Sequence, residues 1–261
     1  MHATEREQLI FEALRRTGFV SYRDLELCLE ASPATIRRDL SRLEGQGHIE
    51  RVHGGAKLCA GETAVPVPRL AGTPFDQAIT QNLAAKRAIG RAAAGLCRPG
   101  EGVMIDGGTT TLQMCSHLEP LGLQVLTNSL HIVDALLPQK DTRILLPSGA
   151  LFREQNVILA PAGEDSMPRF HAPKLFMGAA AVGPHGVMQA DVVLVAAERR
   201  LIDRAEEVIL LVDSSKFRSS SGAIVCALDE IDVLITDEAI DADARRMVES
   251  AGIKLVLATQ T

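Results

Sequence analysis

The chain has 261 residues and a formal net charge of −6, with 46% hydrophobic and 23% charged residues, a balance that fits one large or two smaller globular domains. Aromatics make up 3%, with one Tyr and no Trp, which argues against the aromatic platforms of carbohydrate-stacking and single-strand-binding proteins. The charged opening MHATEREQLIFEALRR is no signal peptide, and no apolar run reaches the ~18 residues of a membrane span. Five scattered cysteines (Cys28, Cys59, Cys97, Cys115, Cys226) without CxxC spacing read as reduced thiols of a cytoplasmic protein, with no metal site and no cofactor.

Charge is spread unevenly. Residues 1–57 carry 9 basic and 9 acidic side chains, while the remainder carries 18 and 24. Within residues 35–57 the balance is 5 basic to 3 acidic, with His48 and His53 among them. DNA affinity follows such local phosphate-neutralising stretches rather than net charge.

Leu9, Ile10, Ala13 and Leu14 recur at helical spacing and predict a helix over 4–17, ended by Thr17-Gly18. Phe19-Val20 leads to Ser21, an N-cap for a second helix, SYRDLELCLE. Ser32 and Pro33 then start a third, PATIRRDLSRLEGQG, stopped by Gly45 and Gly47. HIERVHGGAKL alternates like a short hairpin. Three helices, a tight turn before the third and a basic hairpin after it describe an all-α winged helix-turn-helix over 1–57. Ser32, Pro33, Thr35 and the first N–H groups of the third helix are placed to grip phosphates, and Arg37, Arg38 and Arg42 to face the major groove. An arginine there reads guanine bidentately. Arg51 and His53 fall on the wing, beside the neighbouring backbone or minor groove.

Residues 58–75, with Pro66, Pro68, Pro74, Gly61 and Gly72, read as a linker. From Asp76 to 261, a helix from Gln77 to Leu96 precedes short apolar strands alternating with helices, the pattern of a mostly parallel α/β sheet covered on both faces. Ligands of such sheets bind at the carboxyl ends of strands. Three of those ends are polar: Asp106-Gly107-Gly108-Thr109-Thr110-Thr111, which opens a predicted helix; Thr127-Asn128-Ser129; and Asp213-Ser214-Ser215-Lys216. Glycines admit an anion to the backbone, threonines add donors, Lys216 neutralises a phosphate and Asp213 accepts from a sugar hydroxyl. GxxxxGK[ST] and GxGxxG are both absent, so the cradle is not that of a nucleotide or dinucleotide fold.

SPATIRRDLSRLEGQGHIERVHGGA resembles the DNA-binding signature of the DeoR family of bacterial regulators, and IDGGTTT, TNSL and VDSSKF…IDVLITD resemble the landmarks of that family's effector domain. The resemblance spans nearly the whole chain. It implies operator recognition through Ser32, Thr35, Arg37 and Arg38. It also implies an effector domain related to pentose-phosphate isomerases and coenzyme A transferases, which binds a phosphorylated sugar, polyol or sugar acid through Asp106, Gly107, Gly108, Thr109, Thr110, Asn128, Asp213 and Lys216. The sequence departs at Pro147-Ser148-Gly149, where many members have a GG pair, and in MGAAAVGPHGVMQAD, which lacks their acidic cluster; His171 and His185 are the candidates left at that end of the pocket. The expected protein is a homo-oligomeric repressor, dimer or tetramer, that binds a double-stranded operator and is relieved by inducer. The alternative is an isomerase-like enzyme with a DNA-binding head, but the acidic DGADE-type loop and glycine-rich lysine loop of those enzymes are absent, and no catalytic residue is assigned.

Overall fold

A computed structural model of the chain describes residues 6, 7, 9–11, 14, 19–21, 25, 29, 31–45, 49–52, 55–58, 75–159 and 167–259. The chain divides into two compact units, Met1–Arg69 and Leu70–Thr261.

In the first unit the helix Pro33–Gly45 (α1) turns Ile36, Asp39, Leu40 and Leu43 inward. They close on Ile10, Leu14, Val20, Leu25, Leu29, Ile49 and Ala56 to form a small apolar core. The expected hairpin is present: β2 (Ile49–Val52) and β3 (Gly55–Leu58) pair antiparallel with Val52 opposite Gly55. A third strand was not anticipated. Phe19–Ser21 (β1), read above as a lead-in to a helix cap, pairs with β3 and makes the wing three-stranded in the order β1-β3-β2. Three β-compatible residues are too short a run to show period-2 alternation, and pairing with a partner distant in sequence decides the matter.

The second unit is built on a seven-stranded, wholly parallel sheet, ordered β15 (Lys254–Ala258), β14 (Val233–Asp237), β12 (Glu207–Leu211), β9 (Lys174–Met177), β4 (Gly102–Ile105), β5 (Gln124–Leu126), β6 (Arg143–Leu145). Alternate residues of each strand go to opposite faces. Val103, Ile105, Phe176, Ile209 and Leu211 join one core, and Met104, Leu175, Met177, Val208 and Leu210 the other. That two-sided burial explains the near-continuous apolar runs of the sequence.

The predicted helix from Gln77 to Leu96 is broken. Phe75–Ala78 (α2) and Leu83–Ala94 (α3) are separate, with Asn82 left-handed at φ 52° between them. The predicted helix after Asp106 is a seven-residue 3-10 segment, Thr111–His117. Of the linker read at 58–75, Leu58 ends β3 and Phe75 opens α2, and residues 59–74 lie outside the described residues. Two features depart from strict strand–helix alternation: an antiparallel hairpin, β7 (Ala150–Phe152) with β8 (Val157–Leu159), and an antiparallel sheet, β10 (Ala181–Gly183), β11 (Gly186–Gln189), β13 (Ala223–Cys226). Helices α4 (Leu130–Leu136), α5 (Val192–Ile202) and α6 (Ala242–Ser250) begin on side-chain caps from Ser129, Asp191 and Asp241.

Strand order sets where a ligand goes. From β4 the chain winds outward through β5 and β6, then returns to β9 and winds the other way through β12, β14 and β15. The reversal falls between β4 and β9, and the crevice beyond their carboxyl ends is the topological switch point. Asp106 follows β4 at that point.

Candidate functional site

In the head, the Ser32 hydroxyl accepts from the Thr35 N–H at 3.3 Å and lies 2.9 Å from the Thr35 hydroxyl, an N-cap that fixes the start of α1. Ser32, Pro33, Arg37 and Arg38 are exposed, with Thr35 half-buried, so the phosphate-gripping and base-reading positions share the solvent face of α1. Arg37 and Arg38 have no ion-pair partner among the described residues. Arg42 pairs with Asp39 and Glu7 while its side chain stays 44% exposed, and Asp39 also takes the Arg6 Nε–H at 2.7 Å. Asp39 is buried and its charge is balanced by these arginines, so Arg42 also braces the head. Arg51 belongs to β2, its side chain outside the description, and His53 lies outside the described residues.

At the switch point the loop after β4 is held by its own polar groups. Asn128, after β5, donates through Nδ2 to Asp106 Oδ1 at 3.0 Å and accepts the Gly107 N–H on its Oδ1 at 3.1 Å. Both ends of the amide are therefore committed, and Asn128 orients Asp106 and the loop. Thr111 donates to the backbone oxygens of Asp106 and Gly108 at 2.8 and 3.0 Å and is fully buried, so its proton closes the turn and is not offered to a ligand. A Cβ on Gly107 would stand 2.7 Å from Val157 and 3.1 Å from Ser129, so packing demands this glycine irrespective of any anion. Because the segment beyond is a short 3-10 turn, it adds little of the helix dipole the sequence promised. What stays open is Asp106 Oδ2, which has no partner among the described residues although Asp106 is 3% exposed. Burial pushes this carboxyl up to about 6, against the pull of Asn128 and Gly107.

Two strand positions away, roughly 10 Å at a spacing of about 4.8 Å, Asp213 follows β12. Its Oδ1 accepts from Asn82 Nδ2 at 2.9 Å and from the Ser215 N–H at 3.1 Å, and also bonds the Ser215 hydroxyl. It caps the 3-10 turn Ser214–Arg218 and ties α3 to the sheet, a positioning task the sequence did not reveal. Lys216 is half-buried on that turn. Asp237, the last residue of β14, receives the Ser214 N–H at 2.7 Å and its hydroxyl at 2.9 Å. A cleft of about 420 Å³ opens beside these groups, lined among others by Asn82, Ala85, Ser214, Ser215, Arg218 and Asp237; Asp106 is not among its walls.

Sequence reasoning passed over two charged residues. Lys86, on α3, is 2% exposed and donates to the Ala78 carbonyl at 2.6 Å. Burial lowers its pKa, Asp213 opposes that, and the charge of Lys216 lowers it further. Glu198, on α5, is 3% exposed and takes the Gln189 Nε2–H on Oε1 at 2.6 Å, with Oε2 unpartnered among the described residues. Burial, then the charge of Asp106, pushes its carboxyl well above the ordinary range. His171 and His185 are surface residues: His171 precedes β9, at the amino end of the sheet, and His185 is exposed between β10 and β11. Among the described residues no cluster of three or more His, Cys, Asp or Glu is placed to hold a metal, and no helix is long and apolar enough to cross a membrane. Cys97, Cys115 and Cys226 are buried free thiols, their pKa values each raised to about 12 by burial, which makes them unreactive.

The DeoR-like helix-turn-helix domain matches residues 6–62, and the DeoR C terminal sensor domain matches residues 81–238. A putative aga operon transcriptional repressor of Escherichia coli O157:H7 is 32% identical over 97% of this chain and 93% of its own length. The HTH-type transcriptional regulator UlaR of Shigella dysenteriae serotype 1 is 28% identical over 98% and 99%. The full-length sorbitol operon regulator SorC of Klebsiella pneumoniae aligns over 94% of this chain and 97% of its own at 12% identity and a TM-score of 0.38, too low to carry weight. With a DNA-binding head and a sensor domain each matched in order along one chain, this protein belongs to the DeoR family of transcriptional regulators and is not an enzyme.

Proposed function

We propose that the chain represses carbohydrate-catabolism genes as a symmetric homo-oligomer, dimer or tetramer, acting in the cytoplasm. In this reading it leaves its double-stranded operator when a phosphorylated carbohydrate enters the switch-point crevice. Residues 1–57 form the reading head, 58–75 the linker and 76–261 the sensor. Ser32, Pro33 and Thr35 would hold the DNA backbone, Arg37 and Arg38 the base edges, and Arg51 and His53 the flanking groove. The Gly107–Thr110 loop, Lys216 and Lys86 would hold the phosphate, with Asn128 and Asp213 fixing the walls.

The observation that supports the sensor half is the buried polar loop after β4 at the switch point, where Asn128 fixes Asp106 and Gly107 and leaves Asp106 Oδ2 without a partner among the described residues. Lys216, half-buried on the turn after β12, would supply a phosphate's countercharge. Relatives named as an aga operon repressor and as UlaR agree with the regulatory half. The inducer would bind one arrangement of the oligomer better than the other and so shift head spacing.

The test is fluorescence anisotropy of the full chain on duplex DNA from upstream of its own gene and neighbouring operons, with a panel of sugar phosphates. The expected outcome is tight, salt-sensitive binding that one class of phosphate releases. Lys216→Ala should bind DNA normally and resist release. Normal release of Lys216→Ala would remove the phosphate assignment, and turnover of a sugar phosphate at an enzymatic rate would remove the sensor reading.

A further inference from the structure

The hairpin β7–β8 is a sheet of its own, and a two-stranded hairpin has little stability by itself, so its anchors decide its position. Those anchors lie on the segment that leaves the candidate site. Asn128, which holds Asp106 and Gly107, also takes the Ile158 N–H on its carbonyl at 2.7 Å. The Leu130 N–H goes to the Asn156 carbonyl at 2.9 Å, and the two bonds make Ser129 and Val157 an antiparallel bridge pair. Residues 128–131 and 156–158 are thus zipped together. At one end of the zip Val157 closes on Gly107, where an added Cβ would come within 2.7 Å of it. At the other end Asn156 donates through Nδ2 to His131 Nε2 at 3.1 Å. The His131 ring in turn stacks on Phe75, with centroids 3.9 Å apart and planes 9° from parallel. Asn156 is left-handed at φ 52°, a conformation that costs a non-glycine residue and that the surrounding bonds must hold. Phe75 is buried and opens α2, the first described element of the unit Leu70–Thr261, so whatever passes along the chain from sensor to head passes through it.

We propose that this zipped pair of segments is a strap that carries occupancy of the switch-point crevice to Phe75, with Asn156 and His131 as the positioning residues that couple ligand binding to operator release. This rests on the sensor reading above and adds the route of its regulation. Val157 fills the space that a side chain at position 107 would take, so a ligand that resets the Gly107–Thr110 loop must reset Val157 with it. Close-packed contacts of this kind change between discrete arrangements instead of yielding gradually. The zip shifts as one piece because paired backbone bonds hold it, and its far end bears on Phe75 through one side-chain hydrogen bond and one ring stack. Neither contact completes a core. His131, Asn156 and even the buried Phe75 belong to neither apolar cluster of the sensor, so the link can be cut without opening the interior.

The experiment uses the full chain, the operator duplex found by anisotropy, and four probes: glucitol 6-phosphate, glucosamine 6-phosphate, 6-phosphogluconate and inorganic phosphate. Calorimetry gives the Kd of each probe for the free chain and for the chain saturated with operator. The ratio of the two is the coupling factor, which probe and operator share by reciprocity. Wild type should bind its best probe at least about tenfold more weakly on the operator. Asn156→Gly keeps the left-handed backbone and removes the donor, and Phe75→Leu keeps an apolar side chain and removes the ring. Both should bind probe and operator separately within about twofold of wild type, yet bring the ratio close to one, so that release fails where the sensor is saturated. His131→Phe, which keeps the stack and loses the acceptor, should repeat the Asn156→Gly result. Melting curves report folding, and a merely structural role would lower them while leaving the ratio in place. If all three variants keep the wild-type ratio, the strap is packing alone and the inference fails while the sensor reading stands. If no probe binds the wild-type chain or releases it from operator, the sensor reading fails and takes the inference with it.

Discussion

Lys86 keeps step with Ile89, Gly90 and Ala93, and Glu198 with Leu201 and Ile202, so each charge occupies a position that helical periodicity reserves for the core. A charge in the apolar register is the sequence signal for both residues, and it goes unseen when only strand ends are searched. The cost of such placement has a measurable sign. Burial holds the folded carboxyls of Asp106 and Glu198 above their unfolded values near 4, so the folded state favours their protonated forms. Their contribution is therefore most favourable below the unfolded values. Stability is lost as pH rises from about 4, through the Asp106 value of about 6 and the raised one of Glu198. Glu198→Gln keeps the shape and removes one charge, and Asp106 is the charge that faces it. The variant should gain roughly 1–3 kcal/mol over wild type at pH 8, a few degrees in Tm, and much less at pH 4.5. Equal gains at both values would discard the electrostatic account. In the head the logic inverts, because Asp39 is buried with its partners: Asp39→Ala should cost roughly 1.5–3 kcal/mol in urea unfolding. Arg42→Ala, at a more exposed site, should cost under about 1 kcal/mol.

At the scale of elements, all seven strands of the parallel sheet were legible as apolar runs bounded by polar residues, because a strand buried on both faces has no room for polar side chains. The elements that were not legible share another property. β1, β7, β8, β10, β11 and β13 are three or four residues long and owe their state to partners elsewhere in the chain, which local pattern does not encode. The break at Asn82 was hidden for a similar reason: its side chain is drawn 131 positions along to Asp213, and the left-handed backbone follows that tertiary bond. For the candidate site, the polar strand ends were legible, but the hydrogen bonds within them were not. Asn128, Thr111 and Asp213 look like ligand contacts in sequence and hold the loops in the structure. The contact between α3 and the 3-10 segment Thr111–His117 gives a test. A Cβ on Gly90 would stand 2.6 Å from the Gln113 backbone, so one element must move off the other. Gly90→Ala should destabilise the sensor unit by roughly 1–3 kcal/mol in spite of the better helix propensity of alanine. A stabilised variant would show that this contact is loose.

For the whole molecule the question is whether reading and sensing are separable. Among the described residues the head's core draws on Ile10 to Ala56, while both cores of the sensor begin no earlier than Ala88, so each core is built from its own unit. The chain should therefore unfold in two transitions, the smaller from the head. A ligand that binds only the folded sensor raises only the sensor's transition, by RT ln(1 + [L]/Kd), which is about 2.7 kcal/mol at a hundredfold excess over Kd. Arg38→Ala provides the complementary perturbation. It removes an exposed side chain with no partner among the described residues, so both melting transitions should stay in place while operator affinity falls by roughly 1–3 kcal/mol, about 5- to 150-fold. Calorimetry of wild type and Arg38→Ala, with and without the inducing phosphate, reads all of this in one set of scans. If inducer raised both transitions together, the two units would be coupled in the free protein. Release from the operator would then have to be sought in contact between sensor and head instead of in a change of spacing between heads.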